Sequence, residues 1–311
     1  MSWADSHGFL PGEGVRQREH SPERWGPQRD VGLPSEAAAP RYDAIIPAAD
    51  GSRLTAEVWP ATGSRRAIVF VHGFCGNRSE NGLFHELARA CSSRGLNAVL
   101  YDWRGIGHSG GDFCSTSLRD HVADFEHVLR WARKQFGATV ESLSAVGFSL
   151  GAAVIGSALR DGNALNSIAY LSPAVRPSIS MWPRYDTPHI ARQLAERGVA
   201  EKPGSSVLLG RPILESLRTT DLGPSAFDVD VPLLVCHGTE DTRIDCSHTR
   251  ELVAARNVHS AGSAAAFRYE EFDGASHSFR PHAEHVQRLA STLVPWFAEA
   301  HSTVLRRSST G

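Results

Sequence analysis

Gly147-Phe148-Ser149-Leu150-Gly151 decides the reading of this chain. Leu143-Ser144-Ala145-Val146 before it reads as a strand, and Ala152-Ala153-Val154-Ile155 after it reads as the start of a helix. A G-x-S-x-G pentapeptide in that context predicts a nucleophile elbow, a sharp strand-to-helix turn that presents one serine hydroxyl at the end of a sheet. So tight a turn brings the residues two before and two after the serine together, and the strained serine backbone tolerates no bulk beside it. On this reading Ser149 is a covalent catalyst whose partners lie elsewhere in the chain.

Working outward from the elbow, the pattern is regular on both sides. Tyr42–Pro47 and Arg53–Trp59, joined through Asp50-Gly51, predict a β-hairpin. Ala67–Val71 is a continuous apolar run of strand length, as a strand buried on both faces requires. A helix is expected over Glu80–Arg94, closed by Gly95, then a strand at Leu96–Tyr101 and a helix near Leu118–Phe136. Beyond the elbow helix come strands at Ser167–Leu171, Pro232–Cys236 and Phe267–Phe272, and a last helix from about His282 to Ala300. Strands alternating with helices predict an α/β fold, a mostly parallel central sheet with helices on both faces.

Two stretches break the alternation. Ten of residues 1–40 are Pro or Gly, about twice the average share, and no helical or strand period runs through them. They read as a flexible or loosely docked N-terminal arm. Trp3, Phe9, Leu10 and Trp25 leave room for it to pack on the domain or on a second subunit, so a homo-oligomer stays open. Residues 173–228 carry seven prolines and the aromatics Trp182, Tyr185 and Phe227. That is long for a strand-to-strand connection. It reads as a small cap insertion over the C-terminal edge of the sheet, where open α/β sheets bind ligands. The expected organisation is an arm (1–40), a first part of the core (41–172), the cap (173–228), a second part of the core (229–300) and a tail (301–311).

Bulk properties exclude several classes. With 32 basic against 34 acidic residues, nothing argues for nucleic acid or an anionic membrane. Five cysteines with no C-x-x-C pair read as reduced thiols of a cytoplasmic protein. No apolar run approaches the roughly 18 to 20 residues of a membrane span, and no basic segment followed by an apolar stretch marks a secretory signal.

Serine is a weak nucleophile near neutral pH, so Ser149 needs a base, a group to orient that base, and donors for the oxyanion that forms. In an elbow enzyme the order is serine, acid, histidine. Val235-Cys236-His237-Gly238-Thr239-Glu240-Asp241 leaves a strand and ends in an acid, Asp241, with Glu240 and Asp245 as competitors. Phe272-Asp273-Gly274-Ala275-Ser276-His277 leaves the last strand and brings His277 as the base. Asp241 would hold His277 in the right tautomer and stabilise the imidazolium. Each residue alone is weak evidence among 15 histidines; the conjunction of order and strand-end position carries the assignment. His282 and His285 suit a solvent-facing helix start better than a metal site, and neither metal nor cofactor is expected. The oxyanion donors are expected to be the backbone N–H groups of Leu150 and, in Val71-His72-Gly73-Phe74-Cys75-Gly76, of Phe74. Cys75 reads as a small loop residue, since nothing in the sequence gives it a private base.

Together these residues resemble the α/β-hydrolase superfamily. The matching pieces are His72-Gly73-Phe74, Tyr101-Asp102-Trp103-Arg104-Gly105-Ile106-Gly107-His108-Ser109, the elbow, His237 to Asp241, and Gly274 to His277, spanning about residues 42–300. The chain most resembles the serine-aminopeptidase-like branch, with its cinnamoyl and feruloyl esterases and monoacylglycerol-lipase-like enzymes. In that branch the Asp102–Ser109 stretch is a structural loop, so its charges are left out of the catalysis. The resemblance does not cover the arm, and the cap shows no signature for one acyl group.

The expected function is therefore a serine hydrolase cleaving an ester or thioester of a small or medium acyl group through an acyl-enzyme on Ser149. A triad-dependent acyltransferase or an elimination or cyclisation enzyme is the alternative, and a non-catalytic binding protein the third reading, because fold alone does not settle function. Trp182, Tyr185 and Phe227 are candidate contacts for an apolar or aromatic acyl group, although aromatic cap residues serve packing as often.

Overall fold

A run such as Ala67-Ile68-Val69-Phe70-Val71 can pair its backbone only inside a sheet and bury its side chains only between two layers. That is its position in the computed structural model, which describes residues 40–137, 143–259 and 265–308. The arm expected at 1–40, apart from Pro40, lies outside the described residues.

In chain order, strands β1 (Tyr42–Pro47), β2 (Arg53–Trp59) and β3 (Ala67–Val71) lead to helix α1 (Leu83–Ser92). Strand β4 (Asn97–Tyr101), helix α2 (Leu118–Phe136), strand β5 (Leu143–Phe148), helix α3 (Leu150–Arg160) and strand β6 (Ile168–Leu171) follow. After the insertion come β9 (Leu233–Gly238), α7 (Cys246–His259), β10 (Phe267–Phe272) and α8 (Ala283–Ser308). Eight strands form one sheet in the order β1-β2-β4-β3-β5-β6-β9-β10. The first two pairings, β1 with β2 and β2 with β4, are antiparallel and the rest are parallel. The jump from β4 back across β3 to β5 puts the elbow strand near the middle, with the loops after β3, β5, β9 and β10 on one edge.

Side-chain alternation splits the core into two layers. Val69, Val71 and Ala145 pack with Phe125 and Leu129 of α2 and Ile155 of α3. Ile68, Phe70 and Val146 point the other way, onto Phe84 and Leu87 of α1 and Leu289 and Leu293 of α8. Helix α2 is held at its start by a capping box, Ser117 with Asp120, and closed by left-handed Gly137.

Two helix ends differ from the expected ones by more than two residues. Helix α1 begins at Leu83 rather than Glu80, because Glu80, Asn81 and Gly82 all have left-handed backbones with φ of 43°, 54° and 89°. Asn81-Gly82 is a turn signal that outweighs the helix propensity of Glu80. Helix α8 continues through Ser308, beyond the end expected at residue 300, with no glycine or proline between 301 and 308 to stop it.

The insertion after β6 is more ordered than its prolines suggest. It holds α4 (Pro177–Ser180), α5 (Pro188–Arg197), a hairpin of β7 (Val199–Glu201) with β8 (Leu208–Gly210), and α6 (Arg211–Thr219). Pro177, Pro188 and Pro212 occupy the first turns of α4, α5 and α6, where a missing N–H costs nothing and a fixed φ helps. Its apolar side chains, including Ile190, Leu209, Ile213 and Leu217, belong to the same core layer as α2 and α3. Gly210 packs against the Cys114 backbone, and the Ser216 hydroxyl accepts the Leu118 N–H at 3.0 Å.

Candidate active site

The elbow has the predicted geometry. Ser149, between β5 and α3, has φ 53° and ψ −120°, a conformation that persists only where its surroundings enforce it. Its N–H donates to the Leu171 carbonyl at 2.9 Å, and its carbonyl accepts from Ala152 at 3.1 Å and Ala174 at 3.0 Å. Both glycines are required by contact. A Cβ on Gly147 would lie 2.8 Å from the Ala152 backbone, and one on Gly151 would lie 2.2 Å from the Val71 carbonyl oxygen.

Four turns of the same sheet edge bring the partners together. Asp241, after β9, is buried, and His277 Nδ1 lies 2.7 Å from its Oδ2. The same Oδ2 is 3.0 Å from Nε2 of His237, a nitrogen that also faces the Ile244 carbonyl at 3.0 Å. Both neighbours only accept, so Nε2 of His237 carries the proton and its Nδ1 accepts from the Thr249 hydroxyl at 2.8 Å. The other carboxylate oxygen accepts the Arg243 and Ile244 N–H groups, each at 2.8 Å. Burial opposes ionisation of Asp241, but the donors from His237, His277 and Ile244 outweigh it and hold the carboxyl well below the usual carboxylate range. An ionised Asp241 fixes the proton of His277 on Nδ1 and leaves Nε2 with its lone pair. Burial pulls the His277 imidazole below the ordinary histidine value, against the raising effect of Asp241. The rival acids lie elsewhere. Glu240 is exposed, and Asp245 is exposed and accepts the Ser247 N–H. The loop carrying His277 is tied back by the Ser172 hydroxyl, which donates to the His277 carbonyl at 2.9 Å.

The loop after β3 approaches Ser149 because residue 73 has no side chain; a Cβ there would sit 3.1 Å from Ser149 Cβ. Gly76 N–H closes the turn onto the Gly73 carbonyl at 3.0 Å, a bond in which the Phe74 N–H takes no part. Leu150 opens α3, so its N–H has no acceptor within the helix. His72 stiffens this loop from below. Its Nε2 accepts the Trp103 N–H at 3.0 Å, so Nδ1 donates to the Gly73 carbonyl at 2.9 Å. Burial pushes its pKa down to about 4, and the ring stays neutral. From the other side, buried Glu80 accepts the Gly73 N–H at 2.6 Å through Oε1. Burial pushes the Glu80 carboxyl up to about 7, against the pull of the Gly73 N–H and the charges of Arg243 and Lys202. The Asp102–Ser109 stretch is occupied structurally. Asp102 takes the Arg78 backbone and guanidinium N–H groups at 2.8 and 2.6 Å, and Arg104 pairs with Asp124 at 2.6 Å.

Ser149 and His277 line one cavity of about 630 Å³ together with Phe74, Tyr185 and Glu80. Phe74 and Tyr185 meet edge-on, ring centroids 5.8 Å apart. The other two expected substrate contacts stand apart from it. Trp182 is half-buried against the core layer, and Phe227 is fully buried between Tyr170 and Phe267. Phe227 is thus a core residue: it follows the short turn Gly223–Ala226 that folds the end of the insertion back onto α3 and α7. Leu150 is buried too, which leaves its backbone as the part of it that can serve the site. Cys75 lines the cavity, but burial pushes its thiol up to about 12, far from the range of a nucleophile. Among the described residues no three His, Cys, Asp or Glu side chains are grouped to hold a metal ion. The sequence reading assigned no role to Glu80, His237 or Ser172. In the sequence His237 is visible only as part of a motif, and Glu80 falls inside an expected helix. Ser172 was one more serine after a strand.

Known proteins resemble this one in sequence and fold. The family described as Hydrolase_4, serine aminopeptidase S33, matches residues 62–213, a span that contains Gly73, Phe74 and Ser149 and ends ahead of Asp241 and His277. An uncharacterized protein of Mycobacterium tuberculosis (strain ATCC 25618 / H37Rv) is 29% identical over 243 residues, covering 74% of this chain and 76% of that protein. Est1E from Butyrivibrio proteoclasticus, solved with ferulic acid bound, has a TM-score of 0.67 at 17% identity over 83% of this chain and 100% of that one. A Pyrococcus furiosus esterase has a TM-score of 0.61 at 18% identity, over 89% of this chain and 100% of its own. At such identities the two structures speak to the fold alone. No described helix is long and apolar enough to cross a membrane.

Proposed function

The chain belongs to the α/β-hydrolase superfamily, and on that premise we propose that it is a serine hydrolase cleaving a carboxylic ester or thioester of a small or medium acyl group. The observation that carries this reading is the hydrogen bond of 2.7 Å between His277 and buried Asp241, on the wall of the cavity that also exposes Ser149. Its chemistry runs as acyl transfer. Nε2 of His277 takes the Ser149 proton as Oγ attacks the carbonyl carbon. The carbonyl oxygen becomes an oxyanion, stabilised by the N–H groups of Phe74 and Leu150. The imidazolium, held by Asp241, then protonates the leaving alkoxide or thiolate. Water activated by the same nitrogen attacks the acyl-enzyme and frees the acid. A carbonyl substrate follows from the serine, because attack on an alkyl carbon calls for a carboxylate at the elbow and forms no oxyanion. The likeness to esterases in fold agrees with an ester as the bond cleaved.

The test pairs a fluorophosphonate probe with p-nitrophenyl esters of increasing chain length, applied to the wild type and to Ser149→Ala. We expect labelling and turnover in the wild type and neither in the variant. Equal labelling of both proteins would remove Ser149 as the nucleophile. Labelling without turnover of any ester or thioester would favour the transfer or elimination chemistry. Asp241→Asn should lower kcat by about ten-thousand-fold, as loss of the orienting acid does in such triads. The same loss in Glu240→Gln or Asp245→Asn instead would displace Asp241 from the role.

A further inference from the structure

We propose that Arg184, Lys202 and Arg243 form an anion subsite in the cavity over Ser149, so that the substrate carries a carboxylate or phosphate besides its ester or thioester; this rests on the hydrolase reading above. All three residues line that cavity. Arg184 ends the short helical turn Trp182–Arg184, Lys202 follows β7, and Arg243 stands two residues past Asp241. A guanidinium N–H of Arg184 donates to the Arg243 backbone carbonyl, which ties the insertion to the loop that holds the acid. The charge of Arg243 is felt at both His277 and Glu80, that of Lys202 at Glu80 and Cys75, and that of Arg184 at Tyr185.

Among the described residues, no carboxylate lies within ion-pair distance of any of the three. The remaining charged group of the wall is Glu80, whose Oε1 is occupied by the Gly73 N–H. The chain as a whole is slightly acidic, with a net charge of −2, so three cations against one buried acid is a local departure. Like charges lining one cavity repel each other, and an anion bound among them relieves that repulsion. The two guanidinium groups also offer paired donors suited to a carboxylate or phosphate.

Three esters of equal chain length separate the possibilities. Mono-p-nitrophenyl adipate carries a carboxylate on the acyl side, 4-carboxyphenyl hexanoate carries one on the alcohol side, and p-nitrophenyl hexanoate is neutral. Binding is measured by calorimetry on Ser149→Ala, and turnover on the wild type. At least one anionic ester should bind about tenfold tighter than the neutral one, with the preference weakening as salt rises. The side favoured tells whether the charge belongs to the acyl or the leaving group. The preference should vanish when Arg184→Gln, Lys202→Gln and Arg243→Gln are combined. Equal affinities for all three esters, or a preference that survives the triple substitution, would overturn the subsite. A preference that behaves as expected while the wild type hydrolyses none of the three would keep the subsite and sink the hydrolase reading.

Discussion

Glu80 accepts the Gly73 N–H at 2.6 Å, and Gly73 abuts Ser149, so on the proposed mechanism one buried carboxylate positions the loop whose Phe74 amide would receive the oxyanion. Truncation removes the acceptor and strands a buried N–H, which costs roughly 1–3 kcal/mol. Glu80→Ala should therefore lower kcat/KM for a p-nitrophenyl ester by about 10- to 100-fold. Glu80→Gln keeps an amide oxygen in the same place and should retain most of the rate. Equal losses in both variants would show that the charge, and not the hydrogen bond, is what the loop needs. His237 acts one step further back. By donating to Oδ2 of Asp241 beside His277 it helps to keep the carboxyl ionised, while the Arg243 and Ile244 N–H groups hold the other oxygen. Asp241 and His277 were legible because each follows a strand in the required order; Glu80 and His237 were not, because their bonds to Gly73 and Asp241 depend on how each loop folds back on itself, which no spacing in the sequence marks.

At the scale of elements, the elbow is a joint between β5, α3 and the end of β3. The parallel pairing brings Val71 opposite Gly147, and α3 then passes so close that Gly151 touches the Val71 carbonyl. Backbone on both sides of this contact has nowhere to move. Gly151→Ala should cost about 1–3 kcal/mol of stability, the usual penalty of overpacking, and should displace the serine as well. Gly156, one and a half turns further along α3, faces only the tip of Leu222 and the Tyr170 hydroxyl. Gly156→Ala meets a flexible neighbour and gains the helix propensity of alanine, so it should be much better tolerated. Urea midpoints of the two variants check the contrast, and comparable losses would refute the contact argument. The strands and longer helices of the sheet were readable from apolar runs and periodicity. The helices of the insertion were not, because a proline reads the same in sequence whether it ends a helix or opens its first turn.

Over the whole molecule, the site makes opposing demands on stability. Asp241 is held below its ordinary range, so its contribution is present above the unfolded carboxylate value and is lost as pH falls. Glu80 is raised from 4.5 to about 7, so in its case the native state binds the extra proton. Its contribution is complete below the unfolded value and is lost as pH rises through about 7. Glu80→Gln removes that loss. Relative to the wild type, the variant should gain stability between pH 5 and pH 8, by on the order of 3 kcal/mol at most. Urea unfolding of both proteins at the two pH values measures the gain, and parallel stability curves would show that Glu80 is not strained by its burial.

The alternating α/β order, the elbow, and the succession Ser149, Asp241, His277 can be read along the chain, because they depend on local pattern and on position relative to strand ends. Only the tertiary structure decided which acid meets the histidine, since Asp241, Glu240 and Asp245 differ in burial and direction rather than in type. It also puts Phe227 in the core while Tyr185 faces the cavity, and it brings Arg184, Lys202 and Arg243 into the lining of that cavity. The physical reason is common to all of these. A side chain's local pattern is written in its neighbours along the chain, but its partners are set by the crossovers of the sheet and by the packing of an insertion over its edge.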